Sequence, residues 1–401
     1  MRIQDQVPLA KRTTLGVGGR AEYLVEATDE TEVVEALDWA ARYQVPCRVL
    51  GGGSNVVIAD GGFNGLVIHI ATRGVVWNAR PDSVEVTAAA GEMWDSLVAD
   101  SVRRGYAGLE CLSGIPGQVG ATPIQNVGAY GQEVADSIVR VRAFDRELGQ
   151  SVVLPASDCE FGYRNSRFKS VEPGRFVVLS VTFQLGTEGG AQPSYPQLAR
   201  HLEARGVPSP TARDVRESVL SIRREKSMLA DPDDPNGRSC GSFFVNPVVS
   251  AELAVRATRD FTDAPSYPQP DGRVKLAAAW LIEQAGFPRG HRQGHAGLSA
   301  RHALALVDGE VHDAPHRIGA DVHRPLGLDR ARRRHDGLEI ALLDLLGVHR
   351  RRVGARVLQV DEGQRAKHDE DADDDEDLLA CHDYEPPIQV RTPAMQSAMT
   401  A

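Results

Sequence analysis

Apolar positions recur with two different periods along the first 187 residues, and the switches between them mark out elements. Residues 21–25 alternate and predict a short strand. Val33, Val34, Leu37 and Ala41 recur at helical spacing and predict a helix, with Thr28, Asp29 or Thr31 as its cap. A buried strand follows at 47–50, then Gly51-Gly52-Gly53-Ser54-Asn55, a second apolar run at 56–58, a turn at Asp60-Gly61-Gly62 and a strand at 66–70. This is an alternating α/β unit with a glycine-rich strand–loop–strand at its centre. A second unit is predicted from a strand at 84–88, a helix at 93–104, and strands at 139–144, 151–154 and 176–185. Between them, residues 105–130 are rich in Gly, Pro, Ala and Asn. A long irregular segment is usually either disordered or a binding surface. The interleaved Leu109, Leu112, Ile115, Val119, Ile124 and Val127 argue for the second.

The pattern changes twice more. From about residue 186, helices are predicted at 195–205, 214–226 and 276–285, around an Asp- and Pro-rich loop at 229–238, which reads as a separate α+β domain. Residues 308–401 hold one aromatic, Tyr384, and 20 Asp+Glu. With so few large apolar side chains, most of this tail cannot bury enough area to offset its ordering entropy. It is expected to be largely disordered, with a short amphipathic helix at 338–348 as the exception.

Charge and cysteine usage narrow the function classes. A net charge of −10 argues against a general nucleic-acid binder. Five cysteines, an odd number with no CxxC pair, argue against a zinc site or a disulfide framework, so no metal is expected. No apolar leader and no run of about 18 apolar residues occurs. The expectation is a cytoplasmic protein without a membrane partner.

Four segments carry candidate chemistry. In Leu50-Gly51-Gly52-Gly53-Ser54-Asn55, consecutive glycine amides can face a diphosphate, or the triplet is only a flexible turn. It is not GxGxxG, so a dinucleotide-binding helix start is weakly supported. In residues 114–130, small residues permit close backbone approach to a flat ligand while Pro116 and Pro123 fix the loop. A tightly packed structural loop would look the same. In Phe161-Gly162-Tyr163-Arg164-Asn165-Ser166, Arg164 can bind a carboxylate with a two-pronged fork, or it is a surface arginine before a strand. In Gly241-Ser242-Phe243-Phe244-Val245-Asn246-Pro247, Ser242 lacks a hydrolase elbow. Its apolar setting suits a hydroxyl that gives a proton to carbon, or a small residue opening a strand.

Taken in order and spacing, LGGGSN, SGIPGQVGATPIQNVGAYG, GYRNS and GSFFVNP resemble the UDP-N-acetylenolpyruvoylglucosamine reductase (MurB) family. Thr13-Thr14-Leu15-Gly16-Val17-Gly18-Gly19 is similar to that family's opening, and the resemblance covers about residues 1–307. It implies an α+β fold. An FAD-binding region of two α/β subdomains, of the vanillyl-alcohol oxidase (PCMH) type, would span 1–187, and a substrate-binding domain, truncated relative to the family, 188–307. It implies noncovalent FAD, NADPH as hydride source and UDP-N-acetylglucosamine enolpyruvate as substrate, reduced to UDP-N-acetylmuramate for peptidoglycan. The implied FAD contacts are Leu50, Gly51, Gly52, Gly53, Ser54 and Asn55 in the first loop. In the second they are Ile115, Pro116, Gly117, Val119, Gly120, Ala121, Gln125, Asn126, Gly128, Ala129 and Tyr130. Arg164 matches the residue that stabilises the developing carboxylate charge, and Ser242 the one that protonates the substrate carbon. Lys226, Asn246 and Gln284 match substrate-side positions, and Tyr195 the tyrosine of a substrate-closing loop in one subgroup.

The sequence departs from the family after Val307. The family's third catalytic residue is a glutamate near the C-terminus, and neither Glu339 nor Glu385 is a convincing match. The loss of aromatics and runs such as Arg330-Ala331-Arg332-Arg333-Arg334-His335 point to a shifted reading frame near 307 or a replaced tail, against a genuine appended one. Resequencing across the junction decides, since an intact frame with the same tail in an independent isolate excludes the shift. Two other readings stand beside an active reductase. One is an FAD-binding relative disabled by the missing glutamate. The other is an oxidase of the same superfamily, which GYRNS and GSFFVNP argue against.

Overall fold

A computed structural model describes residues 1–187, 195–231, 233–259, 261 and 264–308. The tail, with Glu339, Glu385 and the helix expected at 338–348, lies outside the described residues. Strands β1 (Ile3–Pro8), β2 (Arg20–Ala27), β3 (Cys47–Leu50) and β4 (Phe63–Ile70) form a sheet in the order β1-β2-β4-β3. β2 and β3 both run parallel to β4, and β1 lies antiparallel on β2. Parallel neighbours need crossovers, and α1 (Glu30–Arg42) supplies the one from β2 to β3. Of the three candidate caps, Asp29 does the work: its carboxylate accepts from the Glu32 amide at 2.9 Å. Val33, Ala36, Leu37 and Ala40 form the buried face.

The apolar run at 56–58 is not a strand. Val56 and Val57 are exposed loop residues, and the chain enters β4 only at Phe63. The reason is topological. A strand made straight after the glycine turn would pair antiparallel with β3, but β4 runs parallel to it. Residues 51–62 must therefore carry the chain back along the sheet.

The second unit contains β5 (Val75–Ala79), β6 (Ser83–Ala89), α2 (Trp94–Arg103), the short α3 (Thr122–Gln125), and the two-residue strands β7 (Gly128–Ala129) and β8 (Gln132–Glu133). It continues with β9 (Ile138–Asp145), β10 (Gln150–Pro155) and β11 (Phe176–Gly186). Its sheet has the order β10-β9-β11-β6-β5 and is antiparallel throughout. In β6, buried Val84, Val86 and Ala88 alternate with half-buried residues, the period of a sheet covered more on one face. One core joins both sheets: Val25 and Ile68 of the first belong with Val86, Val181 and Phe183 of the second. Trp94 lies in that core, 5.7 Å from the Phe183 ring, and its indole N–H donates to Leu112 O at 3.1 Å. The core thereby pins the start of the irregular segment at 105–130.

The remainder is α+β. Helices α4 (Pro196–Ala204) and α5 (Ala212–Glu225) pack together through Leu198, Leu202, Val215, Val219 and Ile222, with Cys111 of the irregular segment. Strands β12 (Ser239–Ser242) and β13 (Val248–Val249), helix α6 (Ala251–Thr258), strands β14 (Ser266–Pro268) and β15 (Val274–Leu276) and helix α7 (Ala278–Gln284) follow. Strands β16 (Arg292–Gln293), β17 (Ala296–Leu298) and β18 (Ala305–Asp308) complete the described chain. The sheets are β12-β18-β17-β16 and β13-β15-β14. α7 starts later than the predicted 276 because Leu276 closes β15 and donates its amide to Pro247 O at 2.9 Å. Cys47, Cys111, Cys159 and Cys240 are free and buried, and burial pushes the Cys111 and Cys159 thiols up to about 12. No helix among the described residues is long and apolar enough to cross a membrane.

Asp95, on α2, ties three elements together. It accepts from Arg216 of α5 at 2.6 and 2.8 Å and from the Gly114 amide at 2.6 Å. Burial pushes its carboxyl up, but the Arg216 guanidinium and the Gly114 amide outweigh this and hold it below the ordinary range. A lowered folded-state pKa contributes stability that is complete above the ordinary aspartate pKa and is lost as pH falls through the lowered value. The Asp95 side chain keeps 38% exposure, so screening reduces the pair's worth. Asp95→Ala is expected to destabilise the protein by about 1–2 kcal/mol near neutral pH. In urea melts the difference from wild type should shrink toward zero in acid, and a difference independent of pH would contradict this role.

Candidate active site

The two glycine-bearing loops meet face to face. Gly53 has φ +65°, and a Cβ there would fall 1.9 Å from Arg12 O, so only glycine lets the chain turn at this point. Gly52 lies against Gly117 so closely that a Cβ on it would be 3.0 Å from Gly117 Cα. Gly117 has φ +109°, and a side chain there would strike Ser54 Oγ at 2.6 Å. Ser54 Oγ donates to Pro116 O at 3.2 Å. Among the described residues, the amides of Gly51 and Gly52 enter none of the backbone hydrogen bonds. Gln118, which sequence reasoning passed over, donates its amide to Ile70 O at 3.0 Å, while its Oε1 lies buried without a partner beside Gly51. A pair of uncommitted amides, a cradle that any Cβ would fill and an orphaned buried oxygen fit a cofactor with a diphosphate and hydrogen-bonding ring edges.

The second loop is held by its own polar side chain. Asn126 caps α3 in the left-handed region, φ 43°. Its amide donates to Glu133 Oε2 and to Gly162 O, both at 2.8 Å, and its oxygen accepts from the Ala135 amide at 3.3 Å. Asn126 thus holds the loop with its side chain. The bond to Gly162 brings the Arg164 turn onto the loop. Gly162 and Asn165 exchange amide–carbonyl bonds at 3.0 Å, and Arg164 between them has φ 54°. A non-glycine residue in that region is costly and persists where its side chain is being aimed. The Arg164 guanidinium donates to Asn126 O at 3.3 Å and to Gly128 O, and packs 5.5 Å from the Tyr163 ring.

From Gly128 the loop reaches Tyr130, where residues expected on the cofactor side meet those expected on the substrate side. Tyr130 stands edge-on to Tyr195 at 5.6 Å, and Lys226 Nζ lies 5.8 Å from the Tyr130 ring. Lys226, just past α5, donates to Gln197 Oε1 at 2.6 Å. Burial, then neighbouring Arg223, lowers the Lys226 pKa against the opposing pull of Glu225. Arg223 is buried, donates to Met228 O at 2.7 Å, and leaves Nε without a partner beside Gly114. Arg164 and Lys275, whose Nζ lies 4.8 Å from the Tyr163 ring, therefore join Arg223 and Lys226 in a cationic wall suited to an anionic ligand.

Ser242 ends β12, exposed, beside Phe243 and Phe244, whose rings meet at 5.2 Å. Its Oγ lies 3.0 Å from His302 Nε2. His302 carried no signal in the sequence, being one histidine among small residues 60 positions away. Burial first, then the charges of Lys226, Arg223 and Arg289, pushes its pKa down to about 4. The opening motif braces this strand: the Thr14 amide donates to Gly53 O at 3.0 Å and Thr14 Oγ1 donates to Ser239 O at 2.7 Å. Asn246 Oδ1 accepts from the Ala278 amide at 2.9 Å and fastens the loop after Ser242 to α7. Gln284 is exposed at the end of α7 and enters none of the hydrogen bonds made by Arg164, Lys226 or Ser242.

Residues 21–154 match the FAD binding domain family, and residues 231–315 match the C-terminal domain of UDP-N-acetylenolpyruvoylglucosamine reductase. The second match passes Val307, where the sequence pattern was expected to stop. The UDP-N-acetylenolpyruvoylglucosamine reductase of Thermobifida fusca is 46% identical over 312 residues, covering 75% of this chain and 87% of that protein. That of Pseudomonas aeruginosa is 42% identical over 337 residues, covering 82% and 97%. Among solved structures, the reductase of Thermus caldophilus aligns with TM-score 0.49 and 25% identity over 78% of this chain and 90% of that one. With relatives this similar matched over nearly their whole length, the chain belongs to the UDP-N-acetylenolpyruvoylglucosamine reductase family.

Proposed function

We propose that the chain holds FAD noncovalently, oxidises NADPH, and reduces the enolpyruvyl ether of UDP-N-acetylglucosamine to the lactyl ether of UDP-N-acetylmuramate, a step of peptidoglycan synthesis. The observation that carries this reading is a series of neighbours leading from the paired glycine loops: Arg164 donates to Gly128 O, Lys226 lies against the Tyr130 ring, its charge acts on His302, and His302 Nε2 lies 3.0 Å from Ser242 Oγ. FAD, when bound, carries hydride from NADPH to the vinyl carbon. The amides of Gly51 and Gly52 would hold its diphosphate, and the second loop would hold its ring system.

The protein's own groups do the rest. Hydride addition pushes negative charge onto the substrate carboxylate, and the fixed Arg164 guanidinium stabilises that charge as it forms. Its fork is already oriented by two loop carbonyls, so little reorganisation is needed. Ser242 delivers a proton to the adjacent carbon. Lys226 and Arg223 attract the sugar nucleotide's diphosphate, while Tyr195 packs against it from α4. Asn246 acts through its hold on the loop after Ser242. A second reading, an FAD-binding relative with impaired chemistry, is favoured by one feature of the sequence: after Val307 neither Glu339 nor Glu385 is a convincing match for the family's third catalytic group.

Two variants test the assignment through NADPH consumption with and without the enolpyruvyl sugar nucleotide. Arg164→Ala is expected to lose about 10²–10³-fold in substrate-dependent turnover while retaining FAD, and Arg164→Lys to recover little of it. Ser242→Ala is expected to lose about 10²–10⁴-fold, with flavin bleaching by NADPH unchanged. Wild-type turnover in either variant would remove that residue from the chemistry. A wild-type chain whose flavin is bleached but that never consumes substrate would favour the second reading.

A further inference from the structure

A serine hydroxyl on an exposed strand end rotates freely unless a neighbour fixes it, and a freely rotating donor delivers its proton poorly. At Ser242 that neighbour is His302, 3.0 Å from Oγ. The pairing follows from the β12–β18 ladder. Ser242 is in register with Ala305, the Phe243 amide donates to Leu304 O at 2.8 Å, and the Ala305 amide donates to His302 O at 3.0 Å. The turn that opens β18 thus brings the imidazole to the end of β12. Lys226 and Arg223 face the ring from the α5 side and Arg289 from the turn after α7, and burial with these three cations keeps the ring uncharged at neutral pH. An uncharged imidazole has one N–H. If Nε2 lacked it, Ser242 would have to point its own hydrogen at the ring and would have none to give the substrate.

We propose that His302 is the positioning residue for Ser242: its Nε2–H donates to Oγ, turns the hydroxyl hydrogen toward the reacting carbon, and holds the oxyanion that proton delivery leaves behind. This rests on the reductase reading above. In the step, the Oγ–H bond breaks and a C–H bond forms with the electron pair released by hydride addition to the neighbouring vinyl carbon. The charge left on Oγ is stabilised by Nε2–H. Oγ then takes from solvent the one proton that reduction by NADPH consumes, and His302 gains and loses none. A histidine cation would compete as an acid, and the cationic surroundings prevent it.

The test uses the full chain loaded with FAD. Histidine ¹⁵N spectra should show His302 as the Nε2–H tautomer, titrating near pH 4, with Ser242→Ala moving the Nε2 resonance. An Nε2 that bears no hydrogen, or a ring titrating in the ordinary histidine range, overturns the proposal. His302→Ala should slow reoxidation of NADPH-reduced flavin by the enolpyruvyl sugar nucleotide by about 10²-fold. KM should change by less than about threefold, as expected when an interaction made only in the transition state is removed. Bleaching by NADPH should be unaffected, and His302→Gln, which keeps an N–H donor, should recover much of the rate. Equal reoxidation in wild type and His302→Ala, or equal loss in both half-reactions, overturns the role of His302 alone. A wild-type chain that substrate never reoxidises sinks the reductase reading and this role with it.

Discussion

Gly52 and Gly117 bring two main-chain segments from different sheets into contact with no side chain between them, and the rest of the site is built outward from that contact. A Cβ on Gly52 would press on Gly117 Cα at 3.0 Å, so the loops could no longer close on each other unchanged. Each loop is anchored separately. Thr14 holds the Gly53 carbonyl, and Trp94 and Asp95 hold the start of the second loop through Leu112 and Gly114. Because Thr14 also holds Ser239, the same anchoring fixes the strand that ends in Ser242. Cofactor cradle and proton donor are thus connected through one residue, Thr14, whose amide donates to Gly53 O and whose side-chain Oγ1 donates to Ser239 O.

Electrostatics complements this framework. Buried Arg223 with an unpartnered Nε and half-buried Lys226 flank Tyr130, Arg164 donates to Gly128 O two residues before it, and the wall they form is cationic in a chain whose net charge is −10. Burial lowers the Lys226 and Arg223 pKa values, because taking a cation out of water disfavours its charged form. Burial first, with the charges of Lys226, Arg223 and Arg289 added, keeps His302 uncharged.

Much of this was legible in the sequence because local pattern determines it. The α1 helix with its Asp29 cap, β3, β6 and α5 follow from periodicity and capping residues, and both glycine loops announce themselves by composition. Residues 56–58 misled because an apolar run says nothing of whether its neighbour pairs parallel or antiparallel. The contacts of Tyr130 with Tyr195 and Lys226 were not legible, because they are made only when α4 and α5 pack back on the loop. Gln118, Arg223 and His302 were silent for a related reason. Their roles depend on burial and on partners distant in sequence, and no spacing rule links Ser242 to a histidine 60 residues on.

The most direct measurement is a single anaerobic turnover of the wild-type chain. FAD-loaded protein would be bleached with one equivalent of NADPH, then mixed with one equivalent of the enolpyruvyl sugar nucleotide while the flavin absorbance is followed. The expected result is full recovery of oxidised flavin with one equivalent of UDP-N-acetylmuramate formed. Flavin that stays bleached in the presence of substrate would contradict the claim that the glycine cradle, the cationic wall and Ser242 form one working site.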